Sequence, residues 1–176
     1  MSPYILTSTG AHFSFEHLAP FDIRDIAHAL AHQCRFTGHT RRFYSVAQHS
    51  VLVSHIVPPH LALHGLLHDA GEAYLGDVSR PLKRLLPDYR AIERKLEAAL
   101  WPHFGLSPEL PPEVARADMV LLATERRDLM PRTDDEWPDL AGVDPLPIPI
   151  DPWHPGRAFA AFWARWNELQ PKAVIA

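Results

Sequence analysis

Apolar positions along most of the chain recur at intervals of three and four residues, the period of a helix with one buried face. The start differs. Tyr4-Ile5-Leu6 and His12-Phe13-Ser14-Phe15 place β-forming residues on both sides of Ser8-Thr9-Gly10, which predicts a small hairpin. Asp22 can then cap a helix that carries Ile23, Ile26, Ala27 and Leu30 on one stripe. A loop over residues 35–43, loosened by Gly38, leads to Ser45, a second N-cap, and to a helix that Pro58-Pro59 stops after about Val57. Pro59 also suits the first turn of the next helix, which holds Leu61, Leu63, Leu66, Leu67 and His68 and ends near Gly76. Pro81 opens a short helix through Leu86. Residues 88–104 are the longest amphipathic run, with Ile92, Leu96, Ala99 and Leu100 along its stripe and Gly105 as its stop. Pro111-Pro112 begins a helix reaching about Leu129, and residues 155–169 form the last, with Phe159, Phe162, Trp163 and Trp166 at core spacing.

Residues 131–154 break the pattern. They are rich in Pro, Asp and Trp and show no helical period, so they form either a surface strap, which is the expected reading, or a catalytic lid. No internal repeat or linker divides the chain. The prediction is one mostly α domain over residues 1–176, a helical bundle with residues 1–21 as a hairpin extension.

Composition narrows the function. A chain of 176 residues, 47% apolar, can bury a core without disulfides or structural metals. A net charge of -4 gives no electrostatic ground for binding nucleic acid. The basic pairs Arg41-Arg42 and Lys83-Arg84 read as solvated faces. Cys34 is the only cysteine, expected in the core, and excludes an intrachain disulfide, which favours a reducing compartment. No signal peptide is visible in residues 1–7, and no run approaches the ~18 apolar residues of a membrane span. A cytoplasmic protein without a membrane partner is expected.

The chemistry concentrates in the run from His64 to Asp77, which contains His68-Asp69, Glu72 and Asp77. On a helix, His68 and Asp69 can reach one ion, and Glu72 lies a turn further on the same face. A neutral imidazole and a carboxylate ligate a divalent metal, while a second carboxylate a turn away can handle a water proton. Polar groups in a Leu-rich helix are costly unless paired or metal-bound. His49 on the preceding helix and Asp118 on an otherwise apolar face complete a candidate set of two histidines and two carboxylates. An alternative is the i, i+4 ladder of His60, His64 and His68, in which His64 with His68 would hold the metal without His49. Arg126 and Arg127 are expected to pair with Glu125 and Asp128.

His49, then His68-Asp69, then distant Asp118 resembles the pattern of the HD superfamily of metal-dependent phosphohydrolases. The similarity spans residues 22–130 and is strongest to the small HD 5'-deoxynucleotidases and phage dATP triphosphohydrolases. The resemblance implies one divalent metal on His49, His68, Asp69 and Asp118, and a catalytic Glu at Glu72. It implies a phosphate-binding Arg at Arg35 followed by an aromatic, here Phe36. Asp77 matches the sugar-contacting Asp, although it could instead cap the helix that follows. Pro81 and Lys83 match substrate-side residues of the phage enzymes, and a homodimer is implied as well. Manganese, cobalt, nickel or iron suits two imidazoles and two carboxylates, with zinc and magnesium compatible.

The departures are a spacing of only 18 residues between His49 and His68, Phe36 in place of Trp, and Gly38 near a bulkier specificity residue. The last argues for activity on more than one base. A zinc peptidase is disfavoured by the lack of His-Glu-x-x-His, and a guanosine tetraphosphate hydrolase by the lack of its family's Glu-Asp pair. A non-catalytic nucleotide sensor would need no base, and Glu72 speaks against it. Monophosphate and triphosphate substrates stay equally open.

Overall fold

Side-chain caps fix where the helices begin. Asp22 accepts from the Arg24 N–H at 2.7 Å and starts α1 (Ile23–His32). Ser45 does the same for the Gln48 N–H at 3.2 Å and starts α2 (Val46–Ile56). These elements belong to a computed structural model that describes residues 3–170. Before them lies the hairpin, β1 (Ile5–Leu6) antiparallel to β2 (His12–Phe13), with Ile5 opposite Phe13. After them come α3 (Ala62–Leu67), α4 (Glu72–Leu75), α5 (Arg80–Lys83), α6 (Pro87–His103), α7 (Pro112–Leu129) and α8 (Pro155–Leu169). Prolines in the first turns of α5 to α8 supply a preset φ and lack an N–H that would go unpaired there. The architecture is mostly helical with a small N-terminal hairpin, as the pattern predicts.

α2 is the centre. It packs on α1, α3, α7 and α8, so nearly all of its residues are buried, polar ones included. Ile26, Leu30, Val46, Leu66, Leu67 and Phe162 are fully enclosed in the main core. Burying each such side chain stabilises the fold by roughly 1.5–3 kcal/mol before entropy is counted. A second cluster, Val53, Val57, Ala62, Val114, Ala117 and Leu121, seats α7 against α2 and α3. That contact brings Asp118 of α7 beside His49 of α2.

Three expectations need correcting. The helix carrying His68 does not run on to Gly76: α3 ends at Leu67, and tight turns over residues 68–71 precede α4. Two side chains take carbonyls from its last turn: His68 Nδ1 bonds Gly65 O at 2.8 Å and Trp101 Nε1 bonds Leu67 O at 3.1 Å. The backbone then winds tighter, with Ala70 N on Leu67 O and Glu72 N on Asp69 O, both three residues back. Ile92 is 45% exposed, so the buried stripe of α6 is Leu96, Leu100 and Trp101 instead. Cys34 is only partly buried, on a β-bridge to Ser45 rather than in the core.

The Pro-rich stretch divides. Its second half is a strap. Gln48, buried on α2, donates to Asp151 O and accepts from Trp153 N, each at 2.8 Å. Leu146 N and Ile150 N bond Thr124 and Asp128 of α7 at 2.9 Å. The first half holds a 3-10 turn, Pro138–Leu140, which packs on α7 and meets Arg80 and Arg84 through Asp139. No helix among the described residues is long and apolar enough to cross a membrane.

Asp25 staples the hairpin to α1. Only 5% exposed, its carboxylate accepts from Ser8 Oγ at 2.6 Å and from Thr9 N and Oγ1 at 2.8 Å. Burial works against the charge, but the bonds from Ser8, Thr7 and Thr9 outweigh it and hold the pKa below its ordinary 3.8. Asp25→Ala is expected to cost on the order of 2–3 kcal/mol at neutral pH. A depressed carboxylate pKa stabilises the fold above the unfolded value, and that stability is lost as pH falls through the folded value. Urea unfolding should therefore show the gap between wild type and variant closing below pH ~4.

Candidate functional site

Three elements converge on one point. α2 supplies His49, 0% exposed; the end of α3 supplies His68 and then Asp69; α7 supplies Asp118. One donor atom each from His49, His68 and Asp118 lies within 4.8 Å of the others, a group that could hold a metal ion. His49 Nε2 is 3.3 Å from His68 Nε2 and 3.2 Å from Asp118 Oδ1. Asp69 Oδ2 is 3.2 Å from His68 Nε2 and 3.5 Å from His49 Nε2, so it flanks the compact trio on the histidine side. Ligands about 2.0–2.2 Å from a metal stand roughly 3.0–3.5 Å apart, which matches these spacings.

The outer nitrogens settle the direction of the rings. His49 Nδ1 bonds Glu125 Oε1 at 2.6 Å, and His68 Nδ1 bonds Gly65 O at 2.8 Å. With each Nδ1–H donating outward, His68 Nε2 turns its lone pair toward His49 Nε2, and His49 does the same once its second proton leaves. Facing lone pairs repel unless a cation or proton sits between them. The donor set therefore fits a bound metal. The ladder alternative gains no support: His64 packs edge-on to Trp101 at 5.3 Å and does not join the group of donor atoms within 4.8 Å of one another.

Glu125 is the residue that sequence reasoning misplaced. It is fully buried and pairs not with Arg126 or Arg127 but with His49 and with Arg35, whose Nε and Nη2 lie 3.3 and 3.2 Å from Oε2. Arg127 does pair with Asp128, at 2.7 Å, whereas Arg126 bonds Asp135 O and lies over the Trp137 ring. The missed signal is a carboxylate two helical turns after Asp118, on the same face. Arg35 also reaches Asp69 at 3.4 Å, and its pKa rises because Glu125 and Asp69 outweigh its burial. Burial and Arg35 both oppose a charged His49, yet Glu125 and Asp118 push its pKa up to about 9. Asp118 is drawn down to about 2 against its burial, mainly by His49, and Asp69 falls well below the carboxylate range, held by His68, His49 and Arg35.

Beside His68 and Asp69 is a cavity of about 50 Å³ lined also by Glu72, Lys83, Glu93 and Glu97. That is room for a few waters, far below the roughly 300 Å³ at which ligand pockets begin. Glu72 Oε2 is buried there without a hydrogen-bond partner. Burial first, then the charges of Asp69 and Asp77, raise the Glu72 pKa well above its ordinary value. Glu97, not foreseen, is pushed up to about 7 by burial and Glu93. Lys83 faces the cavity but is tied to Glu93 at 2.6 Å rather than free.

The remaining candidates are placed as follows. Asp77 is partly buried; burial and Asp69 raise its pKa while Arg35 lowers it. It caps nothing: the N-cap of α5 is Ser79, without a side-chain cap bond. Phe36, at φ +54°, lies under the Arg35 guanidinium at 5.6 Å and 6.2 Å from the Trp137 ring. Gly38 has φ +81°, so the turn itself demands glycine, and its Cα is exposed. Pro81 is exposed in the first turn of α5 and does not line the cavity.

Against known proteins, the chain is 44% identical over 169 residues to uncharacterized protein YfdR of Escherichia coli (strain K12), covering 94% of this chain and 95% of that one. The chain belongs to the YfdR family. A second relative, uncharacterized protein RCAP_rcc00048 of Rhodobacter capsulatus, is 34% identical over 168 residues, with 84% and 85% of the two chains covered. No protein-family model matches the chain. The share aligned with YfdR covers nearly all of the domain rather than the helices of the histidine cluster alone.

Proposed function

We propose that this YfdR-family protein is a metal-dependent phosphohydrolase of the HD type, acting on a nucleotide phosphate. The observation that carries the reading is the pair of facing Nε2 atoms at 3.3 Å, each ring pinned through its other nitrogen and flanked by Asp118 and Asp69. His49, His68 and Asp118 would hold the ion, with Asp69 beside them. Manganese, cobalt, nickel or iron fits best, and zinc and magnesium are compatible. A divalent cation there supplies Lewis acidity toward a phosphate oxygen and makes nearby water more acidic.

The chain's own groups do the rest. Arg35, fixed by Glu125 and 3.4 Å from Asp69, presents its remaining N–H groups to phosphate oxygens. Glu72, with an unpaired Oε2 in a water-sized cavity, is suited to take or return a proton of the attacking water at neutral pH. Lys83, held by Glu93 in the same cavity, favours the charged form of Glu72 rather than binding phosphate directly. Phe36 and Trp137 offer ring faces beside Arg35, which favours a nucleotide over a simple phosphoester.

Two measurements test this. Mono-, di- and triphosphates of the four deoxynucleosides and their ribo counterparts, assayed with manganese or cobalt, should reveal turnover; silence with metal bound would remove the nucleotide assignment. Glu72→Gln should keep its fold and metal while losing about 10²–10⁴ in rate. Near-normal turnover in that variant would make Glu72 structural.

A further inference from the structure

We propose that Arg80, backed by Arg84, is a second phosphate-binding arm of the centre, that the ligand it serves carries at least two linked phosphates, and that Asp139 holds the arm until that ligand arrives. The proposal deepens the phosphohydrolase reading and rests on it for the position of the first phosphate.

Each carboxylate of the centre touches one guanidinium. Asp69 has Arg35 at 3.4 Å, and Asp118 has Arg80 at 3.7 Å. The two arginines are held very differently. The Arg35 side chain is 11% exposed and locked by Glu125, whereas the Arg80 side chain is 47% exposed and lies along the rim. Arg80 Nη1 reaches Asp139 Oδ2 at 3.4 Å, and Arg84 Nη2 reaches the same oxygen at 3.3 Å. A single carboxylate oxygen therefore serves two guanidiniums that carry five donors each. Both contacts are longer than the ~2.7–2.9 Å of a strong charge-assisted bond, and longer than the 2.6 Å that ties Lys83 to Glu93. Asp139 is a partial and exchangeable counter-ion.

The direction follows from the helix. Arg80 and Arg84 are four residues apart, so they share a face and form a row leading outward from Asp118. A single phosphate at the centre is already served by Arg35. A longer chain that passes Asp118 meets Arg80 next and Arg84 after it, and its denser charge displaces Asp139. The other basic pair does not compete: Arg41 is bonded to Asp128 O and Arg42 to Asp151, at the far end of α7.

The test is calorimetric titration of the manganese-loaded full chain with inorganic tripolyphosphate and with orthophosphate, metal content being checked after each run. Wild type should bind tripolyphosphate at least about tenfold more tightly than orthophosphate. R80A should narrow that ratio by about ten- to a hundredfold, and D139N should widen it. Both side chains are substantially exposed, and far-ultraviolet circular dichroism of the variants is the check on folding. Equal losses for both anions in R80A, an unchanged ratio, or a weaker tripolyphosphate affinity in D139N would overturn the arm. Tripolyphosphate bound through Arg80, in a protein that hydrolyses none of the nucleotides, would keep the arm and sink the hydrolase. Turnover of monophosphates with no effect of R80A on the binding ratio would do the reverse.

Discussion

Glu125→Ala should cost on the order of 3–5 kcal/mol of folding stability, more than any other single polar substitution in the domain. Its carboxylate is completely buried and holds two cationic partners at once, the His49 ring and the Arg35 guanidinium. Removing it leaves an arginine that is only 11% exposed with two of its three side-chain bonds gone and Asp69 as its remaining partner. Uncompensated buried charge, rather than the loss of an attractive pair, dominates the cost. Glu125→Gln separates this from the role in the centre. The amide fills the same space and can accept from the His49 N–H, but it brings no charge, so the His49 ring loses its strongest reason to keep the proton on Nδ1. Denaturant unfolding without metal should rank the proteins wild type, Gln, Ala. Metal affinity should fall roughly 10–100-fold already in the Gln variant. An alanine variant as stable as wild type would mean that the buried ion pair contributes nothing net.

Most of the frame was legible because local chemistry fixes it. Asp22 and Ser45 cap the helices they were expected to cap, and prolines open the later helices where an N–H would be orphaned. Those signals act over two or three residues, so they survive without knowledge of the fold. What failed was tertiary. The break after Leu67 depends on Trp101 arriving from α6 to claim a carbonyl, and no pattern within α3 announces it. Ile92 sits on the expected stripe of α6, but that end of the helix projects past the core and the residue is exposed. Sequence adjacency pairs Glu125 with Arg126 and Arg127, although those side chains point away from it round the helix. The four ligand candidates came together because each is a polar residue on an apolar face, a cost that sequence displays directly. The residues arranging them do not display it, since their partners are 76 and 90 residues away. The Pro-rich stretch reads as strap or lid, and its second half is bound to α2 and α7 while its first half packs on α7 and meets Arg80 through Asp139.

Asp118→Ala should abolish metal binding at any practical concentration, a larger loss than the one expected for Asp69→Ala. Both carboxylates belong to the ligand set implied by the HD resemblance, but the geometry grades them. Asp118 completes the group whose donor atoms all lie within 4.8 Å, whereas Asp69 stands 3.2 and 3.5 Å from the two imidazoles and spends part of its charge on Arg35. Deleting Asp118 removes a ligand and leaves α7 without a donor at the centre. The loss should therefore exceed the ~10–100-fold that follows removal of an outer-shell partner. Deleting Asp69 leaves the trio in place and frees Arg35, so metal should still bind, more weakly. Activity should nonetheless collapse in both variants, through loss of the ion in Asp118→Ala and through loss of the contact that orients Arg35 in Asp69→Ala. Elemental analysis and manganese titration of the two purified proteins read the difference directly. Loss of metal from Asp69→Ala as complete as from Asp118→Ala would make Asp69 an equal fourth ligand, and retention of metal by Asp118→Ala would remove α7 from the centre.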